Sequence, residues 1–329
     1  MTTVLVIIIL LALIFDISNG WHDCANAIAT VVSTRVLTPR QAVFIAAGLN
    51  IFGAFLSTAV AKTIGTGIVD AKSVTEAVII SALLASIVWN IITTLMGIPV
   101  SSSHALIGSL IGSSFAHGGL ETLKPAGILK IFGSLLASPF IGLIIGYFVM
   151  KLVLKFFGTH SPGWLNRNFG RMQIFSSSIM ALSHGSNDAQ KVMGIITLSL
   201  FSGGVISSVD VPTWVVGLCA VAMGIGTAMG GWRVIKTLGV HMLKLEPVHG
   251  FAAETAAGAV ILSASHLGLP VSTTHVISSS IMGVGATKRL TAVRWGVAGK
   301  IVLAWVLTLP FCAVLAWVLY HIVGPLVLR

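Results

Sequence analysis

The chain has 329 residues, of which 56% are hydrophobic and 9% charged, and its mean hydropathy is +1.01. Soluble domains carry roughly 25% charged residues, so an aqueous globular protein is excluded and most side chains must face lipid or one another. The formal net charge is +10, but the basic residues gather at the ends of apolar runs (Arg35, Arg40, Lys151, Lys155, Arg167, Arg171, Lys288, Arg289), where loops meet anionic lipid; nucleic acid is set aside as a partner.

A membrane-spanning helix needs about 20 apolar residues. The first run, 3–19, resembles the apolar part of a signal peptide. It lacks a basic start and a small-residue cleavage site, and Asp16 interrupts it, so it reads as a retained first membrane helix. Further runs follow at 40–61, 74–96, 99–116 (after Pro99), 126–157, 174–182 fading to 201, 212–232, 251–267, 270–286 (after Pro270) and 292–324. The runs 126–157 and 292–324 exceed one simple span, and each holds a Pro–Phe pair, Pro139–Phe140 and Pro310–Phe311. Proline kinks or breaks a helix, so each is expected to bend or double. The whole reads as an all-α polytopic membrane protein of about 10–12 membrane segments, some of half length. Cys24, Cys219 and Cys312 are widely spaced and odd in number, which suggests neither a disulfide framework nor a metal motif.

The polar stretch 158–172 divides the chain into a first transmembrane repeat, 1–157, a connecting loop and a second repeat, 173–329. Four matches recur in the same order in both halves: Gly20-Trp-His-Asp23 with Gly185-Ser-Asn-Asp188, Lys62-Thr-Ile-Gly65 with Lys236-Thr-Leu-Gly239, Pro99-Val-Ser-Ser-Ser-His104 with Pro270-Val-Ser-Thr-Thr-His275, and Pro139-Phe with Pro310-Phe. Repeats of this kind are frequent in secondary transporters, often inverted in the membrane, with sites at the repeat interface. The sequence leaves inversion open; an odd number of crossings per half would require it.

Two duplicated motifs carry chemistry. In the first, Asp23 and Asp188 stand beside glycine and amide side chains inside apolar sequence. A carboxylate buried in lipid is costly unless paired or cation-bound. Glycine is expected to let the helix unwind there and free carbonyls for a hard cation. Asp23, Asn26, Asn187 and Asp188, with Gln190, thus read as cation-site material; a single such Asp also serves as a helix cap. In the second, proline breaks the helix and Ser101, Ser102, Ser103 and Ser272, Thr273, Thr274 fall at the start of a new one, where free N–H groups and the positive dipole end collect. Such tips suit a tetrahedral oxyanion, with Gln190 counted among its ligands, although plain N-capping is the commoner fate of one such segment. His104 and His275 follow each tip and suit packing, hydrogen bonding to the hydroxyls or proton coupling. Lys191 either pairs with Asp188 or approaches the anion, and Glu254 opens an apolar run and is a candidate cavity residue. Glu76 suits a helix N-terminus, Asn50 and Asn90 suit bonds between helices, and Lys62 and Lys236 suit the membrane interface. There is no GxxxxGK[ST] and no HExxH, so transport would run on ion gradients. An intramembrane Ser–His hydrolase is disfavoured, since the motifs are duplicated and no nucleophile elbow is present.

On these residues the sequence resembles the inorganic phosphate transporter (PiT) family. The family's duplicated G-x-N-D-x-A-N signature stands here as GWHDCANAIATVVSTRVLTPRQ and GSNDAQKVMGIITL, and PVSSSH, PVSTTH, GWRVIKTLG and the Glu254 segment match as well. The likeness covers essentially the whole chain. It departs at His22, where the family has asparagine, which bears on the first cation site and points toward proton coupling. In animal relatives a Glu stands about where Asn50 is. The resemblance implies two inverted-topology repeats with broken helices and re-entrant hairpins, and phosphate held between the two tips. It implies Na+ at Asp23 and Asp188, or H+ as the coupling ion, and no other cofactor. The cargo would be free phosphate or a metal–phosphate complex, and the assembly a homodimer in the cell membrane of a bacterium or archaeon. The expected activity is therefore non-enzymatic: cation-coupled phosphate symport by alternating access. A sulfate or other oxyanion permease of the same fold, and a passive anion channel, are the alternatives.

Overall fold

Apolar segments in lipid must satisfy their own backbone polar groups, which favours helices. The structure, a computed structural model describing residues 2–70 and 74–327, is helical almost throughout. Among the described residues the only β feature is a single antiparallel bridge, Val69–Leu123. The outermost residues of the two expected halves, 1 and 328–329, lie outside the described residues.

The first half contributes α1 (Thr3–Ser33), α2 (Pro39–Gly53), α3 (Ala59–Gly67), α4 (Glu76–Met96), α5 (Ser102–Gly118) and α6 (Pro125–Phe157). The second contributes α7 (Pro162–Ser202), α8 (Thr213–Met229), α9 (Trp232–Lys236), α10 (Pro247–His266), α11 (Thr273–Lys288) and α12 (Trp295–Val327). A π-helical turn, Thr237–His241, extends α9. Starts are signalled locally: Thr2, Thr38 and Ser161 accept a backbone N–H from their own first turn, and proline opens α2, α6, α7 and α10, where its missing N–H costs nothing.

Among the described residues four helices, α1, α4, α6 and α12, are long and apolar enough to cross a membrane, and the pair Thr213–Met229 and Trp232–His241, bent by 64°, makes a fifth span if counted as one. The ten to twelve segments read from sequence include half-length ones, which this full-span count leaves out. The 41-residue α7 carries His184, Asn187, Asp188, Gln190 and Lys191 in its middle, and α5 and α11 have 17 and 16 residues, so polarity and length remove them from that count. The expected doubling at the Pro–Phe pairs is absent. α6 and α12 are each one continuous helix of 33 residues with Pro139 and Pro310 inside. The stretch 158–172 is also not a loop throughout: it is helical from Pro162 onward. Lys62 and Lys236 are exposed, and Lys62 pairs at 2.7 Å with Asp210, holding that surface carboxyl below its ordinary range.

The main helix packings recur when α1–α6 are exchanged for α7–α12. α6 lies along α11 as α12 lies along α5; α1 packs on α8 as α7 packs on α2; α1 meets α4 as α7 meets α10; α3 touches α7 as α9 touches α1. The equivalent helices α1 and α7 run antiparallel. The start of α1 meets the end of α7, with Leu5 against Gly203, and its end meets the start of α7, with Thr34 Oγ1 donating to Gln173 Oε1 at 2.8 Å. That arrangement fits an inverted repeat.

The buried apolar side chains form two clusters. On α1 the first ends at Phe15 and the second begins at Cys24; on α7 the second ends at Ala181 and the first begins at Ala189. The polar motifs fill the gap between the two clusters, deep in the bundle.

Candidate functional site

The helices do not unwind at the motif glycines, contrary to the sequence expectation: α1 and α7 are continuous through Gly20–Asp23 and Gly185–Asp188. The glycines serve close approach instead. A Cβ on Gly20 would stand 2.6 Å from Met223 O, and one on Gly185 would stand 2.2 Å from Asn50 O, both closer than any contact allows. With no side chain there, α1 presses onto α8 and α7 onto α2, bringing the acids of the next turn into one buried layer.

Asp23 and Asp188 are 1% and 0% exposed. Together with His184 they offer ligand atoms that all lie within 4.8 Å of one another. On Asp23, Oδ1 faces His22 Nδ1 at 2.6 Å and Oδ2 accepts from Ser102 Oγ at 2.7 Å. On Asp188, Oδ1 accepts from Lys191 Nζ at 2.5 Å, Oδ2 accepts from Thr273 Oγ1 at 3.2 Å, and His184 Nε2 lies 3.4 Å away. Thr274 Oγ1 also donates to Asp23 Oδ1 at 3.3 Å, so one hairpin tip reaches both acids. His22 Nε2 stands 3.1 Å from Ile98 O. Both ring nitrogens of His22 thus face oxygen atoms.

The two proline-led segments meet at these acids. α4 ends at Gly97 with a left-handed φ of 70°, and the chain turns through Pro99 to the N-cap Ser101. α10 ends near Gly268, φ 65°, and turns through Pro270 to the N-cap Ser272. Each pair is a helical hairpin, and the two tips touch: Ser103 Oγ donates to Val271 O at 3.3 Å, and the rings of His104 and His275 are 4.7 Å apart. Trp305 backs this pair, its ring 4.0 Å from His275 and its Nε1 donating to Pro99 O at 3.0 Å. The six tip hydroxyls divide by role. Ser101 and Ser272 cap their own helices by accepting from the N–H of His104 and His275, Ser103 joins the tips, and Ser102, Thr273 and Thr274 face the carboxylates.

The other sequence candidates divide. Asn26 lies in the layer, its Nδ2 donating to Thr274 Oγ1 at 2.9 Å and Thr273 Oγ1 at 3.3 Å. Lys191 pairs with Asp188. Asn187 reaches Ser265 Oγ at 3.1 Å, on α10. Gln190 is turned away from the tips: its Oε1 accepts from Val60 N at 2.8 Å and Ala61 N at 3.3 Å, capping α3, and its Nε2 donates to Ser186 O. Glu254 lies at a separate point, where Oε1 accepts from Thr30 at 2.5 Å and Gln173 at 3.0 Å while Oε2 accepts from Ser176. Asn50 joins the layer by donating to Thr227 Oγ1 at 2.8 Å and facing His184 Nδ1 at 3.2 Å. Asp16 and Asn19, unassigned in sequence, are also fully buried on α1; with Asp23, Asn26 and Thr30 they form one polar stripe, a spacing that could have drawn notice.

A profile described as the phosphate transporter family matches residues 19–316. A protein of Bacillus subtilis (strain 168), named a probable low-affinity inorganic phosphate transporter, is 46% identical over 322 residues, covering 97% of each chain. One of the same name from Rhizobium meliloti (strain 1021) is 48% identical over 318 residues, covering 96% of this chain and 95% of that one. A solved structure titled the sodium-dependent phosphate transporter superposes with a TM-score of 0.90 at 27% identity, covering 98% of this chain and all of the other.

Proposed function

The chain belongs to the phosphate transporter family, and we propose that it is a secondary active symporter that carries inorganic phosphate across the cell membrane with Na+ or H+ by alternating access. The observation that carries this reading is the convergence of two hydroxyl-bearing helix N-termini, one from each half, on two buried carboxylates. Helix N-termini favour anions; two ionised carboxylates at the same place repel one in low dielectric. Phosphate therefore docks only after cations neutralise Asp23 and Asp188. Ser102, Thr273 and Thr274 then turn from the carboxylates to the phosphate oxygens, and this exchange of partners couples the two cargoes.

The tip and acid residues that face one another are at most 1% exposed, which agrees with an occluded stage between outward and inward openings. The antiparallel α1 and α7 and the recurring helix packings support two inverted repeats that rock about the tips. The oxygen-rich cluster with Asp188 suits Na+, as does the name of the solved relative, and the His22 ring 2.6 Å from Asp23 keeps H+ as the alternative. Lys191, the buried cation of the site, is committed to Asp188, so no free positive charge awaits phosphate. That fits the low affinity in the names of the relatives. The reading extends to a homodimer and to metal–phosphate as a carried form, tested by cross-linking in membranes and by uptake with and without Mg2+.

The test is uptake of labelled phosphate into proteoliposomes under an imposed Na+ gradient and then an imposed proton gradient, with sulfate as competitor. Accumulation driven by one gradient and indifferent to sulfate is expected and names the ion. Equilibration without accumulation would make the protein a channel, and competition by sulfate would make it a broader oxyanion permease.

A further inference from the structure

The buried charges of the site balance unevenly. Asp23 has His22 at 2.6 Å, and Asp188 has Lys191 at 2.5 Å with His184 at 3.4 Å. Asp16 has no such companion: it is 0% exposed, and neither carboxylate oxygen has a hydrogen-bond partner among the described residues. Asn19, also 0% exposed, leaves both its amide oxygen and its amide nitrogen unpartnered. Three residues apart on α1, the two side chains share one face of the helix, and Asp23 lies on the same stripe roughly 10 Å further along. The charges acting on Asp16 from the neighbouring elements are those of Asp188 and Lys191 on α7, and its own field reaches the Cys219 thiol on α8. A buried carboxylate and a buried amide left without partners together, in a bundle that otherwise pairs its acids, are costly unless something fills the place.

We propose that Asp16 and Asn19 form a second cation site, which takes Na+ through the two carboxylate oxygens of Asp16 and the amide oxygen of Asn19. All three donors are hard oxygens, which excludes the softer transition metals as preferred occupants. One carboxylate matches a monovalent ion, whereas protein sites for divalent ions usually enlist more than one. The repeat supports a special role here. Aligning Asp23 with Asp188 places Ala181 opposite Asp16 and His184 opposite Asn19, so this site belongs to the first half alone and gives the symmetric pair of acids an asymmetric third. The inference rests on the coupled-transport reading and adds to it a particular ion at a particular place, one helix segment from the phosphate tips.

The test reads ion binding without transport. The full-length protein in nanodiscs is heated in a series of NaCl concentrations without phosphate, with choline chloride holding ionic strength constant. Na+ is expected to raise the thermal midpoint of the wild type, and Asp16→Asn and Asn19→Leu are each expected to move the half-maximal Na+ concentration at least tenfold higher. Asn19→Ala, which keeps the carboxylate, serves if Asp16→Asn does not fold. A wild-type midpoint indifferent to Na+, or variant curves that superpose on the wild type, overturns the site. Superposed Na+ curves with an altered pH dependence of the midpoint in Asp16→Asn would assign Asp16 a proton instead. None of these outcomes touches phosphate transport itself, which the proteoliposome uptake of the wild type decides separately.

Discussion

Asp23 and Asp188 each take a hydroxyl from a hairpin tip and a nitrogen from their own helix. Removing the charge should remove the need for a cation: Asp23→Asn and Asp188→Asn are expected to abolish concentrative phosphate uptake while leaving the protein folded by size-exclusion chromatography. Wild-type accumulation in either would refute the role. If the tip hydroxyls pass from carboxylate to phosphate, Ser102→Ala with Thr273→Ala deletes two charge-assisted bonds, each worth about 1.5–3 kcal/mol. The apparent Km for phosphate should then rise tenfold or more in initial-rate uptake, and an unchanged Km would take the tips out of the site. These residues were legible in the sequence as a matched set, because each motif occurs twice. Gln190 was not, because its partners, Val60 N and Ala61 N, lie on another helix about 130 residues earlier. Asp16 and Asn19 were missed for the opposite reason: the second half holds no copy of them.

At the scale of the helices, the motif glycines carry the main correction. Sequence alone reads Gly beside Asp as a place where a helix opens, since glycine is the permissive residue. Here the same absence of a Cβ lets two backbones touch, and only the neighbouring helix distinguishes the two uses. Gly185→Ala should therefore act as overpacking against α2, lowering stability by about 1–3 kcal/mol, read as a lower thermal midpoint in detergent; a midpoint equal to wild type would return the glycine to an unwinding role. Gln190→Ala tests the capping of α3. It should lower stability by about 1 kcal/mol, the usual cost of a lost cap, and leave the phosphate Km unchanged; a raised Km would restore Gln190 to the anion. The hairpins, by contrast, were visible in outline, because Pro99 and Pro270 mark their turns and Ser101 and Ser272 are strong caps.

For the molecule as a whole, the sequence offered two halves and nothing of how α1–α6 and α7–α12 interlock. Four matched motifs announce two halves, but nothing in a linear pattern tells that α6 embraces α11 and α12 embraces α5. Each half grips the hairpin of the other. Residues 1–161 and 162–329 expressed as separate chains should accordingly co-purify and reconstitute uptake together, while either alone should be degraded or aggregate; a stable, monodisperse single half would refute the interlock. The same embrace sets an order on synthesis. When the first half enters the bilayer, the stripe of Asp16, Asn19, Asp23, Asn26 and Thr30 has no α7 against it, and α5 lacks the flank against which α12 packs. The nascent protein must hold that acidic face in the insertion machinery until α7 emerges, and the flank of α5 stays open until α12 has followed.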